Sequence, residues 1–339
     1  MTNPTSICVV IAAKDASATI ARAVTSALAE PEVAEVIVID DGSTDATCPS
    51  AHGADDGSGR LRIVRFESNK GPAAARNHAM SLSSSPLIAV LDADDFFLPG
   101  RFRSLLALPD WDFAADNIVF VDERHSAIKN LDVAKFQPTS TLIDLEHFIA
   151  GNISRRGKSR GETGFLKPVM RRDFLEANGL RYREELRLGE DYDLYVRALA
   201  KGARYRVSHA CGYGAVVRQN SLSGQHRTED LRRLYEADRA ILQAGDLAPE
   251  AARLIRRHER HIRGRYELRH FLDLKRTRGP AAALRYALSH PVALPAIAGG
   301  VLADKTERFR SPPTQAAARP GGEPALRYLL PAIPVPSQK

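Results

Sequence analysis

Hydrophobic and polar positions follow two different periods along the chain, and the periods fall in blocks. Residues 7–13, 36–39 and 87–91 are continuous apolar runs, and each ends in charge: Lys14-Asp15, Asp40-Asp41 and Asp92-Ala93-Asp94-Asp95. A run without polar interruption offers no face to water, so each reads as a strand buried on both faces, as in a parallel sheet. Between the first two runs, Ile20, Val24, Ala27 and Leu28 recur at helical spacing, with Asp15 or Ser17 able to cap the helix and Glu30-Pro31 ending it. Residues 61–66 alternate, which predicts a strand nearer an edge. Asn69-Lys70-Gly71-Pro72 turns into a helix from Ala73 to about Leu82, Leu98-Pro99-Gly100 opens another through Leu105 and Leu106, and residues 117–121 supply a further strand. The order is βαβ repeated, an α/β class with a mainly parallel, mixed sheet and helices on both faces.

The carboxyl edge of such a sheet is where ligands bind, and three strands in succession deliver aspartate to it: Asp15, Asp41 and the cluster Asp92, Asp94, Asp95. Carboxylates that close repel one another and take up protons unless a cation sits among them, and oxygen-only ligands suit Mg²⁺ or Mn²⁺. Glycine stands at turns and not in a GxGxxG or GxxxxGK[ST] pattern, so the phosphate loops of dinucleotide and P-loop proteins are absent. Further on, Gly189-Glu190-Asp191-Tyr192-Asp193 opens a helix with an acidic first turn, followed by Arg197. By itself that is favourable placement against the helix dipole, about 0.3–1 kcal/mol per charge.

From about Gln225 strand-like runs stop and long Ala-, Leu-, Glu- and Arg-rich stretches read as helices, broken at Gly245, Gly279-Pro280 and Pro291. The chain carries 48 Lys and Arg against 41 Asp and Glu, a net of +7, and residues 251–280 alone hold ten Lys or Arg against Glu259, Glu267 and Asp273. The basicity is therefore local, and it points to an anionic partner. Leu254, Ile255, Ile262, Tyr266 and Phe271 lie beside these arginines at roughly helical spacing, the arrangement either of a helix on an anionic membrane surface or of a solvated helix packed on the first domain. Three cysteines far apart (Cys8, Cys48, Cys211) indicate neither a disulfide framework nor a zinc site. No run of about 18 apolar residues occurs. The expected division is a catalytic domain over 1–225, a basic helical extension over 226–310, and a Pro-rich tail over 311–339 with the composition of a disordered segment.

Four ordered motifs carry a resemblance: Val38-Ile39-Asp40-Asp41-Gly42-Ser43-Thr44-Asp45, Asn69-Lys70-Gly71-Pro72-Ala73-Ala74-Ala75-Arg76-Asn77, Leu91-Asp92-Ala93-Asp94-Asp95, and Gly189-Glu190-Asp191 with Arg197. Over residues 6–225 the chain resembles family 2 glycosyltransferases of GT-A fold, and among them the bacterial exopolysaccharide enzymes of the succinoglycan glucosyltransferase kind. The resemblance implies that Asp41 accepts from the uracil N3–H, that Arg76 with Asn77 holds the nucleotide and its diphosphate, and that Asp92-Ala93-Asp94 is the DxD motif. Asp94 or Asp95 would bind Mg²⁺ or Mn²⁺, while Asp92 and Asp15 complete the donor site. Asp191 would be the general base of an inverting transfer, with Glu190, Asp193 and Arg197 structural or near the acceptor. Adjacent helix residues point about 100° apart, so only one of Glu190 and Asp191 can face the site, and the motif match chooses Asp191. The implied reaction moves a sugar from a UDP-sugar, UDP-glucose being the expected one, to a lipid-linked oligosaccharide, by a cytoplasmic enzyme peripheral to the inner leaflet.

Two departures stand out. Ala12-Ala13-Lys14-Asp15 replaces the family's Pro-x-Tyr-Asn, and Arg218-Gln219-Asn220-Ser221-Leu222-Ser223 lacks the histidine of the family's Arg-x-His-x-x-Ser-x-Ser, leaving His209 and His226 as packing or surface residues. A sugar-1-phosphate nucleotidyltransferase uses a similar sheet but needs a glycine-rich basic loop after the first strand, where only Lys14 stands. A nucleic-acid-binding protein would use the basic helices, but only Tyr266 and Phe271 interleave them and no helix-turn-helix or RNP pattern appears.

Overall fold

The structure is a computed structural model, and it describes residues 5–123, 133–134, 136, 139–153, 163–217, 227–245, 247–307 and 326–330. The chain divides into two compact units, Met1–Ser221 with Leu326–Lys339, and Leu222–Ala325. In chain order the first unit contains β1 (Ile7–Ala13), α1 (Ile20–Leu28), β2 (Val33–Asp40), α2 (Thr47–His52), β3 (Leu61–Arg65), α3 (Pro72–Ser81), β4 (Leu87–Val90) and β5 (Phe96–Phe97). It continues with α4 (Arg101–Leu106), β6 (Phe113–Asp122), β7 (Ser140–Ile143), α5 (Leu145–Gly151), β8 (Val169–Arg171), α6 (Arg172–Ala177), α7 (Glu190–Ala200) and β9 (Tyr205–Val217), and closes with β10 (Arg327–Tyr328).

The strands form one mixed sheet in the order β3-β2-β1-β4-β8-β6-β9-β5, with β10 on β6 and β7 on β9. β1 pairs in parallel with both β2 and β4, and β2 with β3, so the uninterrupted apolar runs are the parallel centre and the alternating strand is an edge. Ile7, Val9 and Ile11 share a core with Ile20, Val24 and Leu28 of α1, while Cys8 and Val10, facing the other way, are equally buried on the sheet that α3 packs against. Fully burying aliphatic side chains of this size stabilises the fold by about 1.5–3 kcal/mol each. The chain runs outward from β1 to β3 and then crosses back to β4 on the other side of β1. This reversal opens a crevice at the carboxyl ends of β1 and β4.

Two expectations change here. Residues 326–330 of the Pro-rich tail are ordered: β10 pairs antiparallel with β6, Arg327 opposite Phe120 and Tyr328 opposite Val119. The Asn117 side chain donates to the Leu330 carbonyl and accepts from its amide, and the Leu329 amide donates to Ile118. Residues 325–330 (Ala-Leu-Arg-Tyr-Leu-Leu) are a proline-free apolar island, enough for one ladder rung on an exposed strand edge. The rest of that tail, like residues 218–226, lies outside the described residues.

The second unit contains α8 (Thr228–Gln243), α9 (Pro249–Arg278), α10 (Pro280–Ser289) and α11 (Leu294–Glu307), with a 3₁₀ turn at Pro291–Ala293. Its breaks fall at the glycines and prolines the sequence marks. The apolar set of α9 is not turned outward: Leu254, Ile255 and Ile262 are buried, Tyr266 packs on Tyr235, and Phe271 packs on Ala287, Ala293 and Ile297. That set holds the helices together and is unavailable to a lipid surface. Among the described residues no helix is long and apolar enough to cross a membrane.

Candidate active site

The crevice is built by the turns that leave β1, β2 and β4. After β2, Gly42 has φ +67°, and a Cβ there would approach the Ser68 carbonyl carbon to 2.9 Å, so the turn requires glycine. It sets Asp41, which is buried and accepts from the backbone amides of Lys70 (2.6 Å) and Gly71 (2.9 Å), tying β2 to the start of α3. Asp15 adopts φ +48°, and its carboxylate accepts from the Thr44 amide at 2.7 Å, a bond that holds its pKa below the usual range. Asp40, which the sequence reading passed over as a ligand, is more buried still and accepts from the Ser43 amide and the Cys48 thiol.

At the heart of the site four elements meet in a charge network. Arg76, buried on α3, donates to Asp92 (2.8 Å), Glu190 (2.8 Å) and Asp191 (3.1 Å), and its guanidinium lies over the Tyr182 ring. Lys167, just before β8, donates to Asp191 at 2.7 Å and lies 2.9 Å from Asp92. The two cations thus clamp the first acid of the DxD turn to the acid at the start of α7. The carboxylates raise the pKa of Arg76 and Lys167 against burial, which acts the other way, so both stay charged. Burial pushes the Glu190 carboxyl up. Lys167 is itself held from behind, since its carbonyl accepts from Arg101, whose guanidinium is buried against Asp116 at 2.9 Å.

Of the metal candidates, Asp95 is buried and accepts from the Tyr213 hydroxyl (2.8 Å) and the Val216 amide (2.9 Å). The same hydroxyl accepts from the Asp92 amide, so Tyr213 of β9 fixes the whole turn. Burial first, and then the charges of Asp92 and Asp94, push the Asp95 carboxyl up to about 8. That is the frustration a cation relieves, and the all-oxygen donor set fits a hard divalent ion. Among the described residues no three His, Cys, Asp or Glu side chains form a closed cage. An ion here would need further oxygens from its ligand.

The structure joins Arg76 to Asp92, Glu190 and Asp191, while Asp41 stands at the turn into α3. One guanidinium nitrogen of Arg76 bonds both acids at the start of α7, so the expectation that only one of Glu190 and Asp191 faces the site does not hold, and Asn77 has other work. Asn77 uses its amide to accept from the Tyr182 backbone and to donate to the Tyr182 carbonyl and Glu184, so it positions the segment under Arg76 and does not face a donor. Asp193 is buried between Arg183 (3.1 Å) and Arg197 (2.7 Å), and Arg197 also donates to the Arg181 carbonyl. Asp193 and Arg197 thus brace the same segment, a structural role. Lys167 and Tyr213 are absent from the sequence reading. The available signal for Lys167 was a lone charge between Leu166 and Val169, both fully buried.

The chain is similar to known proteins at the level of family and fold. A model described as Glycosyl transferase family 2 matches residues 8–175. The chain is 64% identical over 332 residues to the succinoglycan biosynthesis protein ExoU of Rhizobium meliloti (strain 1021), covering 98% of this chain and 97% of that protein. It is 36% identical over 292 residues to ExoO of the same organism, covering 84% and 82%. Among solved structures, S. aureus TarS 1–349 in complex with UDP-GlcNAc superposes with a TM-score of 0.57 at 20% identity, over 86% of this chain and 79% of that one. The mannosyltransferase PcManGT of Pyrobaculum calidifontis, in complex with GDP-Man and Mn²⁺, does so with a TM-score of 0.50 at 16% identity, over 91% and 84%. At these identities the structures speak for the fold, which is GT-A. On the motifs, the fold and the near full-length match to ExoU, the chain belongs to glycosyl transferase family 2.

Proposed function

We propose that this glycosyltransferase moves a sugar from a UDP-sugar, UDP-glucose first among the candidates, to a hydroxyl of a lipid-linked oligosaccharide in the assembly of a succinoglycan-like exopolysaccharide, with inversion at the anomeric carbon. The observation that carries this reading is the clamp. Asp92 and Asp191 come from distant parts of the chain and are held by the same two buried cations, Arg76 and Lys167. Asp92 follows β4 and Asp191 opens α7, so the clamp holds an acid of the donor turn and a candidate base beside one another, as transfer between two bound substrates needs.

Asp41, Asp15 and the turn after β2 receive the nucleoside, with Asp41 locked in place by two backbone amides. Asp94 and Asp95 would hold Mg²⁺ or Mn²⁺, which when bound supplies charge neutralisation for the departing diphosphate. Asp191 accepts the proton of the attacking hydroxyl. Each of its oxygens accepts one hydrogen bond, from Arg76 and Lys167, and a carboxylate offers about four lone-pair sites, so acceptor positions are left for the hydroxyl. The relationship to ExoU supports the pathway assignment. The test is UDP release from UDP-glucose, UDP-galactose and UDP-glucuronate with Mn²⁺ and with EDTA. One donor should stand out and EDTA should abolish its turnover, whereas full activity in EDTA would remove the metal from the account.

A further inference from the structure

Large apolar side chains exposed to solvent are concentrated in one stretch of the second unit. Of nine such side chains among the described residues, six lie within residues 272–302: Leu272, Leu284, Leu288, Val292, Leu294 and Leu302. Scattered singly they would need no explanation. Here they are ordered. Leu284, Leu288 and Val292 follow one another at four-residue steps along α10 and the turn after it, 59%, 68% and 72% exposed. On the same helix Ala283 and Ala287 are buried. A helix serving only the core turns its larger apolar residues inward; α10 packs Tyr286 inward but turns Leu284 and Leu288 out.

The exposed charges from the end of α9 through α10 are cationic: Lys275, Arg276, Arg278 and Arg285 are all exposed, with Arg276 also reaching Asp273 at 3.5 Å, the Tyr286 hydroxyl donating to Glu267 of α9, and Asp304 and Glu307 following only at the far end of α11. A second copy of the chain is a poor occupant, because a two-fold contact would set these cations against their own images. An apolar stripe in a stretch of chain with exposed cations at its start matches a surface that is apolar beneath and anionic at its rim.

We infer that the exposed face of α10 and α11 docks on an anionic lipid leaflet, with Leu284, Leu288 and Val292 entering the headgroup boundary and Lys275, Arg276, Arg278 and Arg285 meeting lipid phosphates. This moves the contact from the buried apolar set of α9 to the helices that follow it. It deepens the lipid-linked acceptor reading and rests on it only for what is reached there; docking is scored without turnover.

The full chain is sedimented with phosphatidylcholine vesicles, neutral or carrying about one-third phosphatidylglycerol, at low salt and near 1 M salt, where the Debye length falls to about 3 Å. The protein should bind the anionic vesicles at least about tenfold more tightly than the neutral ones and be released by salt. A Leu284→Ser, Leu288→Ser, Val292→Ser variant should lose binding while keeping its circular dichroism and its UDP affinity. Leu288→Trp should show blue-shifted emission on anionic vesicles against the buried Trp111 background. Equal sedimentation of the triple variant, or no preference for anionic vesicles, overturns the inference. So does a drop in solution mass from dimer to monomer in the triple variant, which would make the stripe a contact between copies. Loss of docking with UDP affinity and UDP release retained separates this proposal from the catalytic one.

Discussion

Lys167 is the residue on which the site's electrostatics turn, since its ammonium is buried and paired with both Asp92 and Asp191. Lys167→Met leaves those carboxylates to Arg76 alone. Breaking a buried pair by removing one partner costs about 3–5 kcal/mol, so the variant should unfold at clearly lower urea and transfer sugar at least about a hundredfold more slowly. Lys167→Arg should recover most of the stability. A stability unchanged in Lys167→Met would mean the clamp is not formed in solution. Asp95 gives a pH signature. Its folded pKa of about 8 lies above its ordinary 3.8, so between these values the folded state binds the extra proton and stability falls as pH rises, levelling off above about 8. Asp95→Asn should remove that loss: the difference in melting temperature between variant and parent should be absent near pH 4 and grow to its full size by about pH 8. A difference independent of pH would show that Asp95 titrates normally. The acids were legible in the sequence because each follows an apolar run or opens a helix. Lys167 and Tyr213 were not, because a lone lysine or tyrosine in an apolar stretch looks the same whether it snorkels to water or is buried against a partner that another element supplies.

Elements were legible in proportion to their length and period. The parallel strands β1, β2 and β4 declare themselves as unbroken apolar runs, and α8 to α10 are bounded by Gly245, Gly279-Pro280 and Pro291. The antiparallel strands β5, β7 and β8 hold two, four and three residues and carry no period to read; only their neighbours make them strands. β6 was recognised only from residue 117 because Asp116 interrupts it, and the Arg101 partner that makes this acid tolerable inside the sheet is remote in sequence. β10 is the sharpest case, a rung defined by Asn117. Ending the chain before Leu326 should strip the paired edge from β6 and leave the Asn117 amide without its Leu330 partner. The expected loss is about 1–3 kcal/mol by urea denaturation, with UDP affinity retained. An unchanged unfolding midpoint would show that the rung contributes nothing.

For the molecule as a whole, membership of glycosyl transferase family 2 follows from sequence and fold together, and the proposed chemistry turns on Asp191. The most direct measurement is Asp191→Asn, assayed on one preparation for UDP binding by calorimetry and for transfer of labelled sugar. The amide keeps the shape of the carboxylate but cannot take a proton near neutrality. The account predicts UDP affinity within about threefold of the parent and transfer slower by at least about a hundredfold. Transfer at the parental rate, or affinity and rate lost in step, would contradict it.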